Sequence, residues 1–254
     1  MELEVLGARN LASAESRLAS LRLDGFLGVD AGSLSVGLPF QEQLRIRAVL
    51  LSHPHFDHIR DLFTLGLFRA YQGPIDLYAT APTLELVTGL FNGRLYPDFV
   101  RWPQQQPVYR PHPLEPHQTV RIEGYEVLPL PVTHPGPGVG FSITSPQGRS
   151  LFYSGDSGPG LSAAWKEICP HLLVLEVTGP DRLEETMRRS GHLTPRLLKE
   201  ELEEFRRAQG YLPPVLLVHY TPQMAEELAG EIARVARELG ASLTLATDGM
   251  KLQV

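Results

Sequence analysis

The chain has 254 residues, 43% of them apolar and 20% charged, with a formal charge of −6. This composition fits a folded globular protein with a sizeable core. The acidic balance argues against a large sequence-independent grip on nucleic acid, which needs clustered cations to displace counterions. Arg182, Arg188, Arg189, Arg206 and Arg207 are the local exception.

No run approaches the roughly 20 apolar residues of a membrane span, and Met1 to Leu6 does not begin a basic-then-apolar leader. A cytoplasmic protein with no membrane partner is expected. Strands are predicted at Leu3 to Leu6, Arg17 to Leu23, and Phe26 to Val29 running into Asp30-Ala31-Gly32. A short apolar strand, Ile46 to Leu51, stops just before a histidine run. Asp57 to Tyr71 then carries apolar residues at helical spacing and predicts one mostly buried helix. The histidines therefore fall on a strand-loop-helix junction, where rigid scaffolds display chemistry.

Ile75 to Tyr78 reads as a strand leading to a helix opened by Thr80 and Pro82 and ended near Asn92-Gly93. Residues 94–117, rich in Pro, Gln and Arg, read as an irregular excursion, and a lid over the site is its expected role. Strands resume at Gln118 to Ile122, Tyr125 to Pro131, Gly140 to Thr144 and Ser150 to Tyr153. The single cysteine, Cys169, excludes an intramolecular disulfide and a Cys-based zinc site; beside Ile168 it is expected to be a small core residue.

Leu172 to Val177 predicts a buried strand. Thr194-Pro195 opens a helix with a threonine cap and proline at the first position, and Gly210 stops it. Val215 to Val218 is a strand ending at His219. Thr221-Pro222 repeats the helix opening, Gly240 terminates that helix, and Ser242 to Ala246 is a last strand. Two strand-rich halves with helices outside make one layered α+β domain over residues 1–254.

In His53-x-His55-x-Asp57-His58, four ligand-type side chains fall within six residues. Imidazole and carboxylate donors suit zinc, manganese or iron. Period-2 backbone sends His53 and His55 to one side, and the turn into the helix returns Asp57 and His58 to the same point. His134, Asp156 and His219 each follow a predicted strand and extend the same donor chemistry.

Taken in order, Asp30 in Val-Asp-Ala-Gly, the histidine loop, His134, Asp156 and His219 resemble the metallo-β-lactamase superfamily over nearly the whole chain. The resemblance implies a four-layer αββα sandwich and two divalent ions, zinc foremost with manganese or iron as alternatives. By motif position His53, His55 and His134 would hold one ion, and Asp57, His58 and His219 the other. Asp156 would bridge them, and Asp30 would orient a ligand from behind. Two metals can lower the pKa of a bound water and clamp both oxygens of an in-line displacement.

Three local runs narrow the substrate. Val132-Thr-His-Pro-Gly-Pro-Gly-Val-Gly-Phe141 is similar to the phosphodiesterase and ribonuclease Z branches. Tyr153-Ser-Gly-Asp-Ser-Gly-Pro159 and Gly191-His-Leu-Thr-Pro195 resemble runs of the class II cyclic-nucleotide phosphodiesterases. His192 precedes a helix N-terminus that favours phosphate oxygens, so it is expected to bind substrate and assist the leaving oxygen. Asp57 is expected to take or relay the proton of the attacking water.

Some positions depart from that class. Phe56 stands where leucine is usual, no glycine follows the His58-Ile59 pair at the expected distance, and Gly7-Ala-Arg-Asn-Leu11 replaces a Gly- or Ser-rich loop. The expected activity is hydrolysis of small or cyclic phosphodiesters by a homodimer. The alternatives are a ribonuclease Z-like RNA endonuclease, a thioester or lactone hydrolase, and a non-enzymatic metabolite-binding scaffold. Arg196, His112, His117 and His171 are expected to be ordinary surface or core residues.

Overall fold

The computed structural model describes residues 1–254. In chain order the first half forms β1 (Glu2–Gly7), β2 (Ser20–Leu23), β3 (Leu27–Val29), α1 (Phe40–Gln43), β4 (Ala48–Leu50), α2 (Phe56–Ile59), α3 (Asp61–Arg69), β5 (Ile75–Thr80), α4 (Ala81–Leu90) and β6 (Tyr109–Leu114). The second half forms β7 (Val120–Ile122), β8 (Tyr125–Pro131), β9 (Val139–Thr144), β10 (Ser150–Tyr153), α5 (Ser162–Trp165), β11 (Leu172–Glu176), α6 (Glu184–Ser190), α7 (Pro195–Gln209), β12 (Val215–Val218), α8 (Ala225–Leu239), β13 (Leu243–Leu245) and β14 (Lys251–Gln253).

Each sheet has seven strands, in the orders β14-β1-β2-β3-β4-β5-β6 and β13-β12-β11-β10-β9-β8-β7. The β3-β4-β5-β6 and β10-β11-β12-β13 runs are parallel, and the other pairings are antiparallel. Parallel strands are covered on both faces and read as apolar runs, as β4 does. On β4, Ala48 and Leu50 enter the larger core between the sheets, while Val49 and the following Leu51 enter the core beneath α3 and α4. The larger core continues into α5, α7 and α8 through Trp165, Leu202, Phe205 and Ile232. Helices thus cover the outer face of both sheets, which gives the expected αββα sandwich.

The helix expected over Asp57 to Tyr71 is two helices. The Asp61 N–H bonds to the Ala31 carbonyl at 2.8 Å instead of continuing the ladder, and this tertiary bond breaks the helix at Arg60. The Asp61 carboxylate also accepts from Ser35 N and Oγ, both at 2.7 Å.

The stretch 94–117 is not wholly irregular. It contains β6, and before it Phe99 and Val108 are buried against α3. An alanine Cβ at Gly66 of α3 would lie 2.7 Å from the Phe99 ring, itself packed against Phe91 and Tyr109. Alanine gains about 1 kcal/mol in helix propensity, but overpacking a fixed core ring costs about 1–3 kcal/mol. Gly66→Ala is therefore expected to lower the urea midpoint, by up to about 2 kcal/mol of stability; a raised midpoint would show that the ring yields freely.

Other departures are local. Cys169 is exposed, because Ile168 and Pro170 on either side take the buried positions. Thr194 caps α7 by accepting from Leu197 N at 3.4 Å, and Gly210 ends it in the left-handed region. Thr221 caps nothing with its side chain; a 3-10 turn, Pro222–Met224, precedes α8. No helix is long and apolar enough to cross a membrane.

Candidate metal centre

The carboxyl ends of β4, β8, β10, β11 and β12 meet at one mouth of the sandwich, and the segments leaving them carry the candidate donors. Three groups form there, the third made by Glu176, His192 and His219. His53, His55, His134 and Asp156 make the first; Asp57, His58, Asp156 and His219 make the second. Within each, one donor atom per residue lies within 4.8 Å of every other. Only Asp156 belongs to both of these two. Its Oδ1 is 3.2 Å from His58 Nε2, and its Oδ2 is 3.3 Å from His219 Nε2 and 3.5 Å from His53 Nε2.

The imidazoles are held from behind. His58 Nδ1 is 2.7 Å from Asp30 Oδ2, and His53 Nδ1 is 3.0 Å from Ser52 Oγ, which itself donates to Asp30. His219 Nδ1 is 2.9 Å from Thr178 Oγ1, and His134 Nδ1 is 3.2 Å from the Gly191 carbonyl. A Nδ1–H donated to an oxygen fixes the tautomer and leaves Nε2 as a lone-pair donor. In His55 it is Nδ1 that faces the others, 3.2 Å from His134 Nε2.

Three of the converging atoms, His53 Nε2, His58 Nε2 and Asp156 Oδ1, are buried without a hydrogen-bond partner. Orphaned polar atoms are costly in a folded interior, and hard-to-borderline N and O donors at this separation suit a divalent cation. The residues therefore fit metal ions. Charge points the same way. Burial would lower the His58 pKa, yet the Asp156 and Asp30 carboxylates hold it well above the usual value, so this point of the site calls for positive charge. Burial would raise Asp57, but the hydrogen bond from His219 and the charge of His58 hold it well below the usual carboxylate range.

Backbone strain accompanies the site. Asp30 and His219 occupy the left-handed region at φ 55° and 62°, a conformation that costs an L-residue about 1–2 kcal/mol and concentrates at functional sites. Gly32 lets its loop touch the metal loop: a Cβ there would sit 2.1 Å from the Asp57 carbonyl. Gly191, at φ 77°, ends α6 and places the carbonyl that holds His134.

His192 lies beside the two groups that share Asp156. Its ring stacks on His219 at 5.4 Å between centroids and is 5.1 Å from that of His134. Glu176, fully buried at the end of β11, accepts from His192 Nδ1 at 2.7 Å and from Thr178 Oγ1 at 2.8 Å. Burial alone would lower the His192 pKa; the Glu176 charge outweighs it and pushes the value up to about 9.

Sequence reading gives Glu176, Thr178, Ser52 and Tyr153 no part in the site, yet all four hydrogen-bond its residues or their supports. The available signal for the first was one carboxylate ending an otherwise apolar run. His112 pairs with Asp76, His117 with Glu167 and His171 with Ser150, all outside the donor groups. Arg196 is exposed and paired with Glu184; Arg182 and Arg188 are likewise matched by Glu227 and Glu184.

The αββα sandwich thus carries a His/Asp cluster with a shared carboxylate at its mouth. Residues 28–220 match the family profile described as "Beta-lactamase superfamily domain", and the chain belongs to the β-lactamase superfamily.

An uncharacterized protein of Mycobacterium tuberculosis is 31% identical over 118 residues, 43% of this chain and 41% of that protein. A ribonuclease of Thermus thermophilus is 31% identical over 160 residues, 61% of this chain and 36% of that protein. These matches span about two fifths of the relatives' lengths. Among solved structures, unliganded yeast PDE1 superposes with a TM-score of 0.84 at 15% identity, covering 100% of this chain and 99% of that one. At that identity the likeness concerns the fold.

Proposed function

We propose that the protein is a metal-dependent phosphodiesterase acting on small or cyclic phosphodiesters. The observation that carries this reading is His192, fixed by Glu176 beside the two donor groups that share Asp156 and belonging to neither of those two. His53, His55 and His134 would hold one divalent ion and Asp57, His58 and His219 a second, with Asp156 shared; zinc suits these donors best, with manganese or iron as alternatives. When bound, such ions supply Lewis acidity toward a water and a phosphoryl oxygen.

The chain's own groups do the rest. Asp30 orients His58 through Nδ1, and Thr178 orients His219 in the same way. The Asp57 side chain, partly open to solvent, takes or relays the proton of the attacking water. His192, tethered at Nδ1, has Nε2 free to hydrogen-bond or protonate the leaving oxygen. The fold shared with yeast PDE1, a phosphodiesterase, supports this reading. Exposed Val36 and Phe40, beside Phe68 of α3, leave an apolar face that supports a homodimer.

A second reading, an RNA endonuclease, draws on the Thermus ribonuclease. The pairing of Arg182 with Glu227, and of Arg188 and Arg196 with Glu184, weakens it, since it reduces the free positive charge of this face. Metal-supplemented protein assayed side by side on bis-p-nitrophenyl phosphate, cyclic nucleotides, a thioester and a structured RNA separates these readings. Hydrolysis of the first two, abolished by chelator, is expected. Turnover of the thioester alone would overturn the proposal, and turnover of RNA alone would favour the second reading.

A further inference from the structure

The loop that carries His53, His55 and Asp57 also presents Phe56, which is 62% exposed. Lone apolar residues on a surface are common; this one is set apart by its place and its company. Its ring lies 6.3 Å from Phe63, and Phe63 lies 4.8 Å from Tyr96 and 5.3 Å from Phe91. Phe63 and Phe91 are buried, so Phe56 is the outer end of a braced aromatic row running from the metal loop to the segment before β6, where Leu95 is also exposed.

The row adjoins the open side of the cluster. His55 is exposed, whereas His53, His58, Asp156 and His219 are buried. Phe56 follows His55 directly in the chain and is exposed with it, on the side from which a phosphodiester would approach the donors. An aromatic face there offers a flat apolar surface with no hydrogen-bonding group. Such a surface suits the π-face of a base and is indifferent to which base it is.

We propose that Phe56 is the stacking platform for the base of the substrate, which makes that substrate a nucleotide or oligonucleotide phosphodiester and not an aliphatic one. This inference rests on the phosphodiesterase reading above and specifies its substrate class.

The test compares wild type, Phe56→Ala and Phe56→Trp, each loaded with metal, on a cyclic nucleotide and on glycerophosphoethanolamine. In Phe56→Ala the nucleotide KM is expected to rise about 5- to 100-fold relative to the aliphatic KM, the scale of one lost base–aromatic stack. Its kcat and metal content should hold, and Trp should restore KM. An unchanged ratio of the two KM values would overturn the proposal. So would a changed oligomeric state in Phe56→Ala, which would assign the ring to a protein contact.

If wild type cleaves no phosphodiester, the phosphodiesterase reading fails by itself. Calorimetric binding of a nucleoside monophosphate to metal-loaded wild type and Phe56→Ala then judges the platform separately. Equal affinities would refute it, and weaker binding by Phe56→Ala would support it.

Discussion

Metal-free Asp30→Ala protein is expected to unfold about 3–5 kcal/mol more easily than the metal-free parent, a large fraction of any domain's stability. Asp30 is fully buried and accepts four hydrogen bonds, from Ser52 N at 2.8 Å and from Ser52 Oγ, His58 Nδ1 and Tyr153 OH at 2.7 Å. Each buried donor left unpaired costs about 1–3 kcal/mol, and local relaxation recovers part of the sum. Alanine also tolerates the left-handed backbone at Asp30 less well than aspartate does. Asparagine keeps the shape and that tolerance but brings an NH2 among donors, so Asp30→Asn should fall between the two. Urea unfolding with chelator present isolates this effect from metal binding. A loss under about 1 kcal/mol would mean that the four bonds are replaced by water.

His192→Ala should lower phosphodiester turnover by about 10²- to 10⁴-fold, the range of a single acid–base group, with metal content unchanged by elemental analysis. Its ring contacts those of His134 and His219, yet those two are held from behind by Gly191 and Thr178 and do not need it for their orientation. Glu176→Gln keeps a hydrogen-bonding partner for Nδ1 but removes its charge, so a smaller loss with an altered pH profile is expected. Unchanged turnover in His192→Ala would remove the role proposed for it.

The metal loop was legible because its chemistry is local: four donor side chains sit in one short run, between an apolar strand and a helical pattern. The bounds of β8 and β10 followed equally directly from apolar patterning between turn residues. Sequence reading faltered where long-range contacts decide. The break at Arg60 depends on a bond to Ala31, which no local pattern announces.

Strand β6 was hidden by Pro111 and Pro113, residues that argue against a central strand. It is the edge strand of its sheet, where proline is tolerated. Glu176 looked like the end of a buried strand. Its partners, His192 and Thr178, become neighbours only after β11 and the segment before α7 are packed. The substrate-facing side of the site was the least legible part, since exposure of a single ring such as Phe56 is a property of the folded surface.

The spacing of the donors along the chain has a consequence for how tightly each group would keep an ion. Joining His55 to His134 closes a loop of 79 residues, and joining Asp57 to His219 closes one of 162. Doubling a loop costs only about 0.6 kcal/mol of chain entropy, so sequence separation barely ranks the two groups. Solvent access ranks them instead. The first group includes exposed His55, whereas in the second only Asp57 reaches solvent and His58 and His219 are buried. An ion held by the first group would therefore exchange with the surrounding solution faster than one held by the second.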